Sequence, residues 1–505
     1  MRINQSFAIA KITALFLLLS TCGGGRSSDP APAPGGSTSS SGEAKYRGVL
    51  MWKGNASGNG VYSGENTLTP QNVNPTNFGR LASFNSDGFI LAQPLYVANL
   101  DMGMQGVHNV VIIATERDEV LAFDADGKST SALWKRSYLG PGVTTVPDDF
   151  GGRTSIGHEI GITGTPVIDP VTGAMYFVTT LLRDGNAEQW LRAINIKDGT
   201  DFGPGSAQIQ ASLPGDGPGS VNGTVSFDSS IQNQRAGLVL SNGNVLVAWG
   251  SFSDWGQYRG WLMAYNSQTL QQVAVYSPAT QRQSSDDAFG IADFGGGGAF
   301  WAAGAAPSVD SNGSIFVVSA DGSFNADTPG GKNYGDSVLK LNLVNNTFQV
   351  ADWFSPHNRA CLDLTDMEIG SGGVVLLPSD AASGRQLAIT VNKEGRVYVL
   401  DRTNLGKFDP NDAQVPQALL ISDKACAPDI RPTLPKAPHG CASMAILPIG
   451  TATSTSDLQT PRFASTSSPG HSAQVPSLRR QPYSECAEEA QSSPRAESTT
   501  AYSGL

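Results

Sequence analysis

The stretch EVLAFDADGK (119–128), with NVVIIAT (109–115) just before it, decides the fold. Both NVVIIAT and EVLAFD are short runs of apolar and β-branched side chains bounded by turn residues. That is the pattern of strands buried on both faces. Asp126-Gly127 supplies a pair that accepts positive φ cheaply, as a tight hairpin turn demands. The unit returns four more times. The runs EVLAFD, WLRAIN, WLMAYN, SVLKLN and RVYVLD end at Asp124, Asn195, Asn266, Asn342 and Asp401, at intervals of 71, 71, 76 and 59 residues. A more apolar run precedes each of them: NVVIIAT, AMYFVTT (174–180), NVLVAWG (244–250), SIFVVSA (314–320) and LAITVN (387–392).

Working outward, one more strand leads each unit. These are AQPLYV (92–97), GTPVID (164–169), AGLVLSNG (236–243), AAPSVDSNG (305–313) and GGVVLLPS (372–379). A fourth strand such as ALWKRSYL (132–139) often closes it. A period of this kind signals an array of similar sheets. Four-stranded antiparallel sheets that each bury both faces suit a β-propeller. A sandwich array would show cleaner inward-outward alternation. The expected fold class is therefore all-β, a propeller with five recognisable blades.

Composition agrees. The 505 residues hold 58 Gly and 30 Pro with only 15% charged residues, which favours turn-rich β structure. The net charge of −11, without a Lys/Arg cluster, argues against a nucleic-acid partner. Residues 1–22 read as an export signal, in which Arg2 and Lys11 supply positive charge ahead of a greasy core, Ile12 to Leu19, too short to span a bilayer. The core runs into Leu19-Ser20-Thr21-Cys22, like a bacterial lipoprotein signal in which Cys22 receives lipid. The other reading is an ordinary cleaved signal. Export places the protein in the periplasm or at the cell surface, held to the membrane by a lipid anchor only. Residues 23–44, all Gly, Ser, Pro and other small or polar residues, read as a flexible tether. Residues 45–430 carry the propeller.

From 431 to 505 the strand grammar stops. Residues 451–505 hold 12 Ser and 7 Thr, and Val475 is their sole Val or Ile. Such a segment cannot build a blade. It reads either as a disordered tail or as the product of a reading-frame shift near Gly440.

The residues Ala122, Asp124, Gly127 and Trp134 resemble the blade motif of pyrroloquinoline-quinone (PQQ) dehydrogenases. Further resemblance lies in LTPQNVNPTNFGRL (68–81), EIGITGTPVIDPVTGAMY (159–176) and GSGGVVLLP (370–378), and it extends over residues 46–425. The chain is similar to exported bacterial proteins of the quinoprotein alcohol-dehydrogenase-like, PQQ-repeat type. The resemblance implies that the four motif residues lock adjacent blades, in rings that commonly have six to eight. Five modules leave open whether this ring closes. For an enzyme, the resemblance implies PQQ and calcium as cofactors and an alcohol or sugar as substrate. The adjacent cysteine pair of those enzymes has no counterpart here, and no calcium ligand set maps onto the chain.

No catalytic residue is assigned, and the metal content is left unknown. His158-Glu159 lacks the second His of a zinc helix and reads as a loop. Gly295 to Gly298 lack the Lys of a phosphate loop and read as a place of tight chain passage. Ligand candidates for the channel face come from residues placed just before inner strands: Gln232, Asn233, Arg235, Trp301, Asp366 and Glu368. Solvated loops or simple packing are the alternative for each. Cys361 and Cys426 can pair in an oxidising compartment or remain unrelated thiols. Two functions stand open. One is a non-catalytic binding or scaffold module whose partner is an envelope protein, a small molecule or a polysaccharide. The alternative is a PQQ- and calcium-dependent dehydrogenase.

Overall fold

A computed structural model describes residues 42–151, 156–283, 296–380, 382–422 and 426. The signal, most of the tether, Gly295, and the tail from 427 lie outside the described residues, as does lipidation at Cys22. All the elements below belong to the unit formed by residues 34–505.

The fold is all-β, and each repeat is one antiparallel sheet. Sheet 1 contains Arg47–Val49, Leu95–Asp101, Val107–Ala114, Glu119–Asp124 and Trp134–Ser137, in that order. In sheet 2 the strands Val167–Ile168 and Val143–Thr145 both pair with Ala174–Arg183, followed by Asn186–Asn195 and Asp201–Gln208. Sheet 3 runs through Val239–Ser241, Asn244–Ser251, Trp261–Asn266 and Gln272–Tyr276, with Gln232–Asn233 also on Asn244–Ser251. Sheet 4 runs through Ser308–Val309, Ile315–Ser319, Ser337–Val344 and Thr347–Ser355, and adds Lys407–Phe408 in parallel. Sheet 5 contains Val375–Leu376, Leu387–Val391, Arg396–Asp401 and Gln417–Leu420. Asn242-Gly243 closes the hairpin between Ser241 and Asn244 with φ of 47° and 74°, the pair of positive values a two-residue turn needs.

Two-sided burial explains the unbroken apolar runs. In Ala174–Arg183, Met175 and Phe177 pack towards Ile112, Ala122 and Trp134 of sheet 1. The alternate residues Tyr176 and Val178 join a second core with Leu246 and Tyr265 of sheet 3. Sheet 4 repeats the device: Ile315 and Val317 face sheet 3, while Phe316 and Val318 meet Ala388 and Tyr398 of sheet 5. Period-2 alternation is present, but both faces are dry, so both are apolar.

The two outer faces of the series differ. Phe84 and its neighbours cover Val111, Ile113, Leu121 and Phe123 of sheet 1. The far face of sheet 5, with Ile389, Val391, Val397 and Val399, is half-buried and carries no further sheet among the described residues.

One segment touches every sheet. Lys45 and Tyr46 donate their amides to Pro170 O, and Leu50 O accepts from Ile168 N. Lys53 N donates to Gln93 Oε1 beside sheet 1. Trp52 lies against Gly237 at the start of sheet 3. Ala56 O and Ser57 O accept from Val309 N and Leu376 N. The first strands of sheets 2, 4 and 5 are only two residues long. Residues 45–57 satisfy backbone groups that these short strands would otherwise leave unpaired.

Candidate functional site

Two groups of buried charge lie in the loops that precede the first strands and in the turns between second and third strands. The first is built on Thr115–Glu119, a tight turn of sheet 1. Glu116 Oε2 accepts from Gly161 N at 2.8 Å and Thr163 Oγ1 at 3.1 Å. Asp118 Oδ1 accepts from Thr180 N at 3.2 Å. Both side chains are fully buried, and Glu116 Oε1 and Asp118 Oδ2 have no hydrogen-bond partner. Burial pushes the Glu116 carboxyl up to about 7, against the two hydrogen bonds. Burial, with the Glu116 charge second, raises Asp118 well above the usual carboxylate range. Gly164 packs directly on the Gln234 side chain, where any Cβ would sit 2.4 Å from Oε1. This acid pair was missed in the sequence because Thr115-Glu116-Arg117-Asp118 reads as an ordinary charged turn.

The second group spans sheets 3 to 5. The Arg235 guanidinium lies 5.9 Å from the ring centroid of Trp301. The Trp301 ring rests on Gly250, leaving no room for a Cβ there. Burial lowers Arg235, while the Glu368 carboxylate favours its charge. Lys393 Nζ lies 2.8 Å from Asp366 Oδ1 and 2.9 Å from Glu368 Oε1. Burial opposes the Lys393 charge, but the two carboxylates raise its pKa overall. Glu368 is 2% exposed, and burial drives it well above the ordinary range, with Asp321 adding to the shift. Its Oε2 has no hydrogen-bond partner. Asp336 beneath accepts from Ile369 N at 3.0 Å.

The structure therefore brings Arg235, Trp301, Asp366 and Glu368 together. It adds Lys393, which the sequence reading passed over because it sits in a hairpin turn after LAITVN. Gln232 and Asn233 are buried in a short strand opposite Ser251 and Gly250, the glycine that Trp301 covers. Gln232 O accepts from Gln189 Nε2 at 2.6 Å between sheets 2 and 3.

The remaining sequence candidates have structural places. Trp134 Nε1 donates to Ile196 O of sheet 2. Asp124 accepts from His108 Nδ1 at 2.7 Å, Ala122 is fully buried, and Gly127 turns with φ of 69°. Gly297 and Gly298 have positive φ; a side chain on Gly297 would meet Asp321 and Gly322, and one on Gly298 would press on Pro278. Cys361 and Cys426 form a disulfide. It pins residue 426 over helix α1 (Arg359–Thr365), where Cys426 N donates to Glu394 Oε2 at 2.9 Å.

The ammonium of Lys393 occupies the space between the two carboxylates, and Arg235 adds a second positive charge nearby. A divalent cation entering there meets repulsion and must displace a buried ion pair. The second group does not fit the calcium of quinone enzymes.

No family model and no curated protein sequence matches the chain. Solved structures do. A europium-containing methanol dehydrogenase matches with a TM-score of 0.50 at 14% identity, over 74% of this chain and 58% of that one. A quinohemoprotein alcohol dehydrogenase from Pseudomonas putida HK5 matches at 15% identity and TM-score 0.46, over 74% of this chain and 48% of that one. One from Comamonas testosteroni matches at 16% identity and TM-score 0.45, over 71% and 48%. The chain spans about half the length of these proteins. The likeness is one of fold: this chain has the propeller-type β architecture of the methanol dehydrogenase, as the sequence resemblance implied.

Proposed function

We propose that this chain is an exported, lipid-anchored propeller that binds a partner of the cell envelope on the channel face of sheets 3 to 5, without chemistry of its own. The observation that carries this reading is the Lys393 ammonium held by Asp366 and Glu368. Asp366 and Glu368 are neutralised from within the chain. What remains half-open is Arg235 stacked on Trp301, a recognition surface for an acidic or aromatic group on a partner. Export and the anchor rest on residues 1–22 and Cys22.

The experiment has two arms. Purified protein receives PQQ and calcium, then an alcohol and a redox dye. The expected result is no bound chromophore and no dye reduction. Calcium-dependent chromophore binding with alcohol-dependent reduction overturns the reading in favour of a quinone dehydrogenase. In the second arm, envelope extract passes over immobilised protein. A partner retained by the native chain and lost with Arg235→Ala supports the module; retention of nothing sinks it.

A further inference from the structure

We propose that a cavity between sheets 2 and 3 binds a neutral, hydroxyl-rich ligand of the short-oligosaccharide class. The cavity has a volume of about 730 Å³, within the rough 300–1,000 Å³ range of small-molecule sites. Three separate parts of the chain wall it. They are the hairpin tip at Asn186 to Glu188, the excursion from Gln208 to Ile231, and the turn bearing Gln257 and Arg259.

The excursion is a folded element. It contains its own hairpin, Ser212–Pro214 against Thr224–Ser226. Val225 is fully buried in the main core, and Phe227 sits edge-on to Trp249 and Trp261 at 5.3 and 5.9 Å. Gly217 N donates to Thr280 O, and the Arg259 guanidinium donates to Pro218 O. Strand alternation then turns Ser226, beside buried Val225, to the solvent side that lines the cavity.

The lining selects the ligand. Asn186, Gln208, Gln210 and Gln257 offer amides, and Thr224 and Ser226 offer hydroxyls. Amides donate and accept at once, as sugar hydroxyls do. Exposed Val221 and half-buried Phe227 supply apolar patches for the C–H face of a ring. The wall charges are committed internally. Arg259 holds backbone oxygens, and Glu188 Oε2 accepts from Arg183 Nε and Trp190 Nε1. Glu188 and Asp228 disfavour an anion. An apolar ligand would strip water from the amides without replacing its hydrogen bonds.

The test titrates the purified chain with maltotriose, cellotriose and chitotriose by calorimetry. Saturable binding of at least one is expected. Ser226→Trp, at an exposed strand position on the wall, abolishes it. Gln208→Leu combined with Gln210→Leu weakens it at least about tenfold. Arg235→Ala, on the other site, leaves it unchanged. Absence of binding by all three sugars overturns the proposal. So does binding that survives Ser226→Trp in a variant with a native unfolding midpoint.

Discussion

The indole Nε1 of Trp134 donates to the backbone oxygen of Ile196 at 3.0 Å, across 62 residues and from one sheet to the next. The same ring covers Gly199, where a Cβ would lie 2.8 Å from Cε3. One side chain thus clamps the turn between the last two strands of the following sheet. Trp134→Phe is expected to keep most of the packing and lose the hydrogen bond, at about 1 kcal/mol. Trp134→Ala should cost about 3–5 kcal/mol through the cavity it leaves. Urea midpoints of the two variants check this; a Trp134→Phe midpoint equal to the native one would refute a role for the indole N–H.

Glu116 should make stability fall as pH rises. Its folded pKa of about 7 lies above the ordinary 4.5, so the native state keeps a proton that the unfolded chain has already released. The native state is favoured fully below pH 4.5, and the loss accumulates between 4.5 and 7 to roughly 3 kcal/mol. Glu116→Gln should remove that part of the slope and be the more stable protein at pH 8. Parallel stability-pH curves for the two proteins would show that Glu116 is not the group responsible.

Lys393 and Glu368 should behave as a coupled pair. Lys393→Met leaves buried Glu368 and half-buried Asp366 without their counter-charge, for an expected loss of up to about 3 kcal/mol. Adding Glu368→Gln to it should recover part of the loss, since a neutral amide needs no counter-ion. A double-mutant cycle by chemical denaturation measures the coupling. Strict additivity would mean that the ion pair contributes nothing.

The disulfide closes a loop of 65 residues, and its removal should cost about 4 kcal/mol on the chain-entropy account. Cys361→Ser, or mild reduction, should also free residue 426 from Glu394. Although burial opposes its charge, hydrogen bonds from Cys426 N, Arg396 and Asn392 hold Glu394 below its ordinary pKa. Hydrogen exchange at the amides of Asn392 to Arg396 reads the loosening. Unchanged protection there would show that the bond does not brace the turn.

Residues 45–57 should be required for a single cooperative transition. A chain starting at residue 59 loses the acceptors of Ile168, Val309 and Leu376 amides. It is expected to unfold in separate steps and to be cut rapidly by protease within sheets 2, 4 and 5. A single transition with native protease resistance would show that the short first strands stand without this segment.

The strands were legible because their burial is two-sided. Runs such as AMYFVTT must be apolar at every position when Met175 and Phe177 face one sheet and Tyr176 and Val178 face another. Local chemistry also marked the turns, since Asn242-Gly243 needs positive φ whatever surrounds it. The site was legible only in part. Arg235, Trp301, Asp366 and Glu368 were found by their position before inner strands. Lys393, Glu116 and Asp118 were not, because a charged residue in a hairpin turn looks the same whether water or a neighbouring sheet surrounds it.

Sequence alone thus determined the repeat, its strands and the all-β class, because periodic hydrophobicity and turn chemistry act over a few residues. Tertiary structure alone decided which charges meet. Lys393 reaches Asp366 across 27 positions, and residues 45–57 meet strands up to Leu376. Such pairings depend on how the sheets stack in space, and no local pattern along the chain encodes the distance between two turns.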